Sequence, residues 1–224
     1  RIVNNTVVDL NTTSPGPPWI RIGPHKDGTA SSGNIIRNNL ATDFSVDAGA
    51  AVQDHNLEIR DYTAYFRDYA QRDLRLLEGC PAVDAGSAEA APTTDAAGLP
   101  RPLDGDGDGE ASWDVGAHEY LNPAVDSDAD GLLDMEERQA GTSPVDAVDV
   151  LRLTLTLDAA GTVRLSWPSV AGRGYALLAQ AETAAGPWTR AEGDPWWPGT
   201  GEVLTTTIAV IPGAAYFRLL LAGP

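Results

Sequence analysis

Cysteine is nearly absent: Cys80 is the only one in 224 residues. One thiol cannot form an intramolecular disulfide, so a secreted version of this chain must gain rigidity some other way. Lysine is equally scarce, Lys26 standing alone among 15 basic residues. No apolar run approaches the roughly 18 residues of a membrane-spanning helix, which argues against insertion in a membrane. Positive charge is short overall. Thirty-two acidic residues leave a net charge of −17, a sign that repels phosphate and disfavours nucleic acid as a partner. What the chain has instead is 42% hydrophobic residues, enough for more than one buried core. It begins Arg1-Ile2-Val3 in a strand-like pattern, without an initiator methionine or signal peptide, and reads as the carboxy-terminal part of something longer.

The negative charge is local. Asp84 to Asp149 holds 17 acidic residues against Arg101 and Arg138, so −15 of the −17 lies there. This acidic middle divides a front part from a back part, both nearly neutral.

The front part carries a weak internal repeat. Ile2-Val3-Asn4-Asn5-Thr6-Val7 recurs 34 residues later as Ile36-Arg37-Asn38-Asn39-Leu40-Ala41, and Asn39-Leu40 recurs 17 residues later as Asn56-Leu57. β-favouring pieces at Thr6-Val7-Val8, Trp19-Ile20-Arg21-Ile22 and Asn34-Ile35-Ile36 are separated by Gly, Pro, Asn and Asp. A polar Asn beside an apolar residue at the same place in successive repeats suits a stacked solenoid. The apolar side chain fills the interior, while Asn amides bond along a ladder and tolerate the left-handed bend. Ordinary Asn-Asn turns are the alternative.

Asp73-Leu74-Arg75-Leu76 is followed by Gly79-Cys80-Pro81-Ala82-Val83-Asp84-Ala85-Gly86-Ser87, by Asp95 to Pro102 and by Asp114-Val115-Gly116-Ala117-His118-Glu119-Tyr120. This succession resembles the terminal segment of secreted bacterial right-handed parallel β-helix proteins, with Cys80 at a position usually held by Ser. The resemblance implies β-helix coils over residues 1–78 and a cap over 79–122. It says little about chemistry, since such helices carry lyases, hydrolases, adhesins and structural proteins alike.

The sharpest constellation is Asp126-Ser127-Asp128-Ala129-Asp130-Gly131-Leu132-Leu133-Asp134-Met135-Glu136-Glu137. Counting from Asp126, carboxylates fall at positions 1, 3, 5, 9 and 12 (Asp126, Asp128, Asp130, Asp134 and Glu137), Gly131 takes the bend at position 6, and Leu132 offers a carbonyl at 7. Ca2+ prefers six to eight oxygen ligands, and carboxylates this dense repel one another without a cation. Leu132 to Ala140 is expected as a short helix stopped by Gly141, and no second helix-loop-helix hand follows. The form D-x-D-x-D-G-L-x-D-x-x-E followed by G-T-x-P resembles a bacterial thrombospondin type 3-like repeat. In that family a downstream aspartate, here Asp146 or Asp149, completes the coordination, and a single repeat acts as a stiff spacer, here over residues 123–149.

A second acidic loop, Asp104-Gly105-Asp106-Gly107-Asp108-Gly109-Glu110, fits the calcium template at positions 1, 3, 5 and 6. Position 12 is Val115, so closure by a glutamate is missing. Asp114 is the expected substitute; a glycine-rich polar turn without metal is the alternative.

From Val150 the pattern turns to period two, with Leu151, Leu153, Leu155 and Leu157 alternating with polar residues. Further strands are expected at Val163–Trp167, Tyr175–Gln180, Val203–Val210 and Tyr216–Leu221, punctuated by Gly161, Pro168, Gly172 to Gly174, Gly186-Pro187 and Pro212-Gly213. This spacing reads as a small antiparallel β-sandwich over 150–224. The order Leu-Ser-Trp-Pro, Gly-Arg-Gly-Tyr, Gly-Pro-Trp and Ala-Tyr-Phe-Arg-Leu resembles fibronectin type III-like modules at the ends of secreted bacterial proteins. Trp188, Trp196 and Trp197 are either a sugar-stacking platform or a seal on the sandwich edge.

No Ser-His-Asp order, phosphate-binding glycine loop or zinc spacing is present. His25, Lys26 and Asp27, with Arg21 and Arg37, sketch only a weak lyase-like cation cluster. The expectation is an all-β chain with a structural or adhesive role, secreted or on a cell surface, stiffened by calcium, partnering itself through an open β-helix end or an extracellular polysaccharide. The alternative is a set of accessory end domains of a polysaccharide lyase or glycoside hydrolase whose active site lies upstream.

Overall fold

A computed structural model of the chain describes residues 1–9, 16, 19–157, 162–181, 187–191, 196–208 and 214–222. The turn signals at Gly161, Gly186 and Pro212-Gly213, and the end of the strand expected to reach Val210, lie outside the described residues. The protein is all-β, 34% strand and 7% helical, built from small sheets. It divides into two compact units, Arg1–Ser127 and Asp128–Pro224. No helix among the described residues is long and apolar enough to cross a membrane.

The first unit holds β1 (Ile2–Val3), β2 (Thr6–Val7), β3 (Ile20–Ile22), β4 (Asn34–Arg37), β5 (Leu40–Ala41), β6 (Phe44–Val46), β7 (Ala51–Asp54), β8 (Leu57–Glu58), β9 (Phe66–Asp68) and β10 (Asp73–Leu76). The first eight pair in parallel, in the orders β1-β4-β7, β2-β5-β8 and β3-β6. The register follows the sequence repeat: Ile2 lies against Ile36 and Thr6 against Leu40 at an offset of 34, while Asn34 lies against Ala51 and Leu40 against Leu57 at an offset of 17. Strands this short have little stability of their own. What holds them is burial, with Ile36, Leu40 and Ala41 fully enclosed, a large aliphatic side chain contributing roughly 1.5–3 kcal/mol.

Between the β1-β4-β7 and β2-β5-β8 sheets the backbone turns through positive φ at Asn4, Asn38 and His55 (51°, 55° and 49°). The next residue of each turn forms the amide ladder. Asn5 Nδ2 donates to Asn39 Oδ1 and Asn39 Nδ2 to Asn56 Oδ1, both at 2.9 Å. The backbone N–H groups of Asn5 and Asn39 donate to the same two oxygens. Asn39 is fully buried, and its amide is satisfied on both sides, which is the condition for burying it at little net cost.

Antiparallel β9 and β10 follow, and their side chains Phe66 and Leu76 join Leu40, Ile59, Tyr62, Cys80, Ala82 and Val115 in one core. Residues 79–122 are almost without regular structure and enclose Asp95, Arg101, Asp114 and Glu119. Arg37 does not project from its strand into a cleft. Its side chain is 6% exposed and pairs with Asp54 and Glu89, so it leaves the sketched cation cluster. His25 and Asp27 form a solvent-facing pair at 3.0 Å.

The second unit opens with helix α1 (Asp134–Ala140), shorter at its start than expected, and continues with β11 (Thr154–Leu157), β12 (Val163–Pro168), β13 (Gly174–Ala181), β14 (Thr189–Arg190), β15 (Trp197–Pro198), β16 (Val203–Ile208) and β17 (Ala214–Ala222). Two antiparallel sheets result: β11-β12-β16, and a second in which β13 pairs β17 on one side and β14 and β15 on the other. One core of Val163, Leu165, Trp167, Tyr175, Leu177 and Ala191 is lined from both sheets. The alternating leucines are only half inside. Leu151 and Leu153 pack on the core, while Leu155 and Leu157, on edge strand β11, are 50% and 64% exposed.

Candidate metal centre

The loop preceding α1 curls because Ala129 and Gly131 both take positive φ (61° and 99°). Gly131 is where glycine is needed, since a side chain at that φ is strained. Asp128 Oδ1 accepts the Asp130 N–H at 3.2 Å and Asp130 Oδ1 accepts the Leu132 N–H at 2.8 Å. These turns commit one oxygen of each carboxylate. The other oxygen, Oδ2 in both, is buried without a hydrogen-bond donor. Asp126, Asp128 and Asp130 each offer a carboxylate oxygen, and the three lie within 4.8 Å of one another.

Helix α1 starts where Glu136 reaches back to accept the Leu133 N–H at 3.1 Å and stops at Gly141 (φ 83°), whose N–H donates to the Glu137 carbonyl at 2.6 Å. The three-residue spacing puts Asp134 and Glu137 on one helix face, and both side chains are fully buried. Neither carboxylate oxygen of Glu137 has a well-aligned donor. Burial, then the charges of Asp128 and Asp130, push its carboxyl up to about 7, with only a small opposing effect from the Thr142 hydroxyl. Glu137 is therefore a buried acid under the charge of two further carboxylates, an arrangement that costs free energy until a proton or cation enters it; neither it nor Asp134 belongs to the close group of Asp126, Asp128 and Asp130.

Oxygen-only donors of this charge suit a hard divalent cation such as Ca2+, which would supply the positive charge that the loop lacks. The fit is good for Asp128, Asp130 and Glu137 on the strength of their donorless oxygens. The two downstream candidates are elsewhere. Asp146 accepts the Val148 N–H at 3.2 Å and Asp149 the Ser143 N–H at 3.1 Å, both exposed, so each carboxylate is spent on its own turn rather than joined to the loop.

The second acidic group differs in membership and chemistry. Asp104 and Asp106 come together with Asp84, a residue sequence reasoning passed over, whereas Asp108, Glu110 and Asp114 do not join them. Asp108 instead accepts the Glu110 N–H at 2.8 Å. Asp104 Oδ1 accepts the Gly107 N–H at 2.7 Å and its Oδ2 the Gly109 N–H at 2.9 Å; Asp84 Oδ2 accepts the Asp106 N–H at 2.7 Å. Gly105 permits this closeness, since a Cβ there would meet Val83 Cγ1 at 2.6 Å. The carboxylates are thus met by backbone N–H groups.

Asp114 is not a ligand in reserve. Burial and the nearby Glu119 raise its carboxyl well above the ordinary range, its Oδ1 accepts the Asp84 N–H at 2.7 Å, and its Oδ2 accepts the Tyr120 N–H. Glu119 accepts the Asp114 N–H at 3.1 Å, lies 3.2 Å from Arg101 Nε, and is raised by burial against the lowering effect of that guanidinium. Asp95 accepts the Ala97, Leu99 and Glu119 N–H groups. The residues of the sequence motif thus meet in one buried network that ties three segments of irregular chain together.

No protein-family model matches the chain, and no curated protein or solved structure is detectably similar to it. The site must be read from its own chemistry.

Proposed function

We propose that the chain is a non-catalytic structural or adhesive region of a secreted or cell-surface protein, ordered by Ca2+ at the loop 126–137. One observation carries the calcium reading: Glu137 is fully buried with no well-aligned donor on either carboxylate oxygen, beside Asp128 and Asp130. A spacer that is only solvated has no reason to bury an acid in this way.

The parallel register at offsets of 17 and 34 and the Asn5-Asn39-Asn56 ladder support a right-handed parallel β-helix closed by a cap at 79–122. The two antiparallel sheets around one core support a fibronectin type III-like sandwich, and the Asp-rich loop before α1 a thrombospondin type 3-like repeat. In this reading calcium does for the scaffold what disulfides do in other secreted proteins.

Isothermal titration of the chelator-stripped chain with CaCl2 tests the proposal. One tight site that is lost in Asp128→Asn and Glu137→Gln is expected. Absence of calcium binding, or binding untouched by either substitution, contradicts it.

A further inference from the structure

The face of the β14-β13-β17 sheet turned away from Tyr175 and Leu177 carries a second set of side chains, with Ala176 and Leu178 buried beneath their neighbours. Register fixes which they are. Leu178 of β13 lies between Arg190 of β14 and Arg218 of β17. Gln180 and Ala176, two residues away on either side, pair with Tyr216 and Leu220. Extending the pairings of Thr189 and Trp197 by one residue places Trp188 beside Gln180 and Trp196 beside Ala176. The face therefore has an aromatic pair at one end, an arginine pair in the middle, and Trp196 with Leu220 at the other end. Successive rows lie two residues apart, roughly 6.5–7 Å along a strand, the scale of a sugar ring.

Both arginines are held flat. The Arg190 guanidinium carbon lies 4.5 Å from the centroid of Trp196, and that of Arg218 lies 4.4 Å from the centroid of Trp188. Arg190, Trp196, Arg218, Tyr216 and Leu220 are exposed. Among the described residues neither arginine pairs with a carboxylate. Trp197 is different. It meets buried Trp167 edge-on, with ring centroids 5.6 Å apart, and belongs to the core. Trp188, Trp196 and Trp197 are thus divided, the last sealing the interior and the other two outside it.

We propose that this face binds a polysaccharide carrying carboxylate or sulfate groups. Exposed rings cover the C–H surfaces of sugars, and a guanidinium pre-oriented by stacking presents its N–H edge to a planar or tetrahedral oxyanion with little ordering left to do. Charge complementarity is local: residues 150–224 hold five acidic and five basic residues, and the two arginines share one side of one sheet. A glycan with one charge per disaccharide meets less repulsion from a chain of net charge −17 than nucleic acid, which carries a charge at every residue. The proposal deepens the adhesive reading and does not depend on the calcium loop.

The test is titration of the full chain, in calcium, with hyaluronan (carboxylate), dextran sulfate (sulfate), dextran (neutral) and single-stranded oligo-dT, read by calorimetry and tryptophan fluorescence. Binding to hyaluronan or dextran sulfate is expected at least tenfold tighter than to dextran or oligo-dT. It should fall at least tenfold in the double variant Arg190→Gln/Arg218→Gln, and less in Arg190→Lys/Arg218→Lys, which keeps the charge but not the planar fork. Failure to bind either charged glycan overturns the proposal, as do equal affinity for dextran or oligo-dT and undiminished affinity in the glutamine variant. Should the glutamine variant unfold, Tyr216→Ala on the same exposed face replaces it, with a severalfold loss expected and no loss contradictory. Calcium binding measured on the same samples without glycan keeps failure here distinct from failure of the calcium reading.

Discussion

Residues 104–109 and 126–131 share the pattern Asp-x-Asp-x-Asp-Gly, and the fold treats them differently. In the first, glycine at every second position lets the backbone close on its own carboxylates, so that both oxygens of Asp104 receive N–H groups. In the second, the two turn bonds satisfy only one oxygen each of Asp128 and Asp130, and the short helix buries Glu137 within reach of their charge. The lesson concerns acidic motifs generally. Spacing of carboxylates shows where oxygens cluster, but whether they await a cation depends on how many backbone donors reach them first.

Substitution and calcium should each separate the two loops. The largest expected effect is Asp114→Ala, which orphans the buried N–H groups of Asp84 and Tyr120. We expect a loss of roughly 2–5 kcal/mol, measured by chemical denaturation and equal in calcium and in chelator. A loss that calcium restores would return Asp114 to the metal ligands. Next comes calcium itself. At about one hundred times its dissociation constant, the ion should stabilise the second unit by about 2.7 kcal/mol, and chelation should remove that gain. Asp104→Ala should leave this gain intact while costing about 1–2 kcal/mol for its own lost hydrogen bonds; a calcium response that vanishes in this variant erases the distinction between the loops.

The smallest effect is a pH slope in the first unit. Asp114 and Glu119 are raised in the folded state by burial, so the fold binds their protons more tightly than the unfolded chain does. Their contribution is complete below the ordinary carboxylate range and is lost as pH rises through the raised values. Asp54 and Asp73, each held at about 2 by a neighbouring arginine, act oppositely, and their contribution fades only in strong acid. Thermal melts from pH 5 to 9 should therefore decline toward the alkaline end, and Glu119→Gln should flatten the decline. A rise with pH over that window contradicts the network.

Much of the architecture was legible in the sequence, because parallel stacking repeats its register: Ile2 over Ile36 and Asn39 over Asn56 are visible as recurring letters. The pairing of Ile20 with Phe44 was not, since no side-chain pattern recurs across that interval. Five strands of the second unit, β11, β12, β13, β16 and β17, follow from alternation and turn residues. The two-residue strands β14 and β15 do not, because so short a pairing is set by neighbours distant in the chain. The bend of the acidic loop at Gly131 and the short helix stopped by Gly141 were legible too. Asp84 was missed because its carboxylate reaches the 104–106 turn only through tertiary contact, and the N–H bonds that Asp146 and Asp149 accept show a use of aspartate in turns that spacing does not separate from metal ligation. Asp95, Arg101, Asp114 and Glu119 were visible as motif letters, but their meeting in one buried network was not.

In the proposed calcium site Glu137 would be a ligand kept without a donor. Thermal unfolding of wild type and Glu137→Gln, each in calcium and in chelator, tests it most directly. In chelator the neutral amide relieves a buried acid beside Asp128 and Asp130, so the variant should melt higher than wild type. In calcium the order should reverse, with wild type melting higher because only it retains the ligand. Were the variant to rank the same way in both conditions, or calcium to leave both melts unchanged, the loop would be an acidic turn and nothing more.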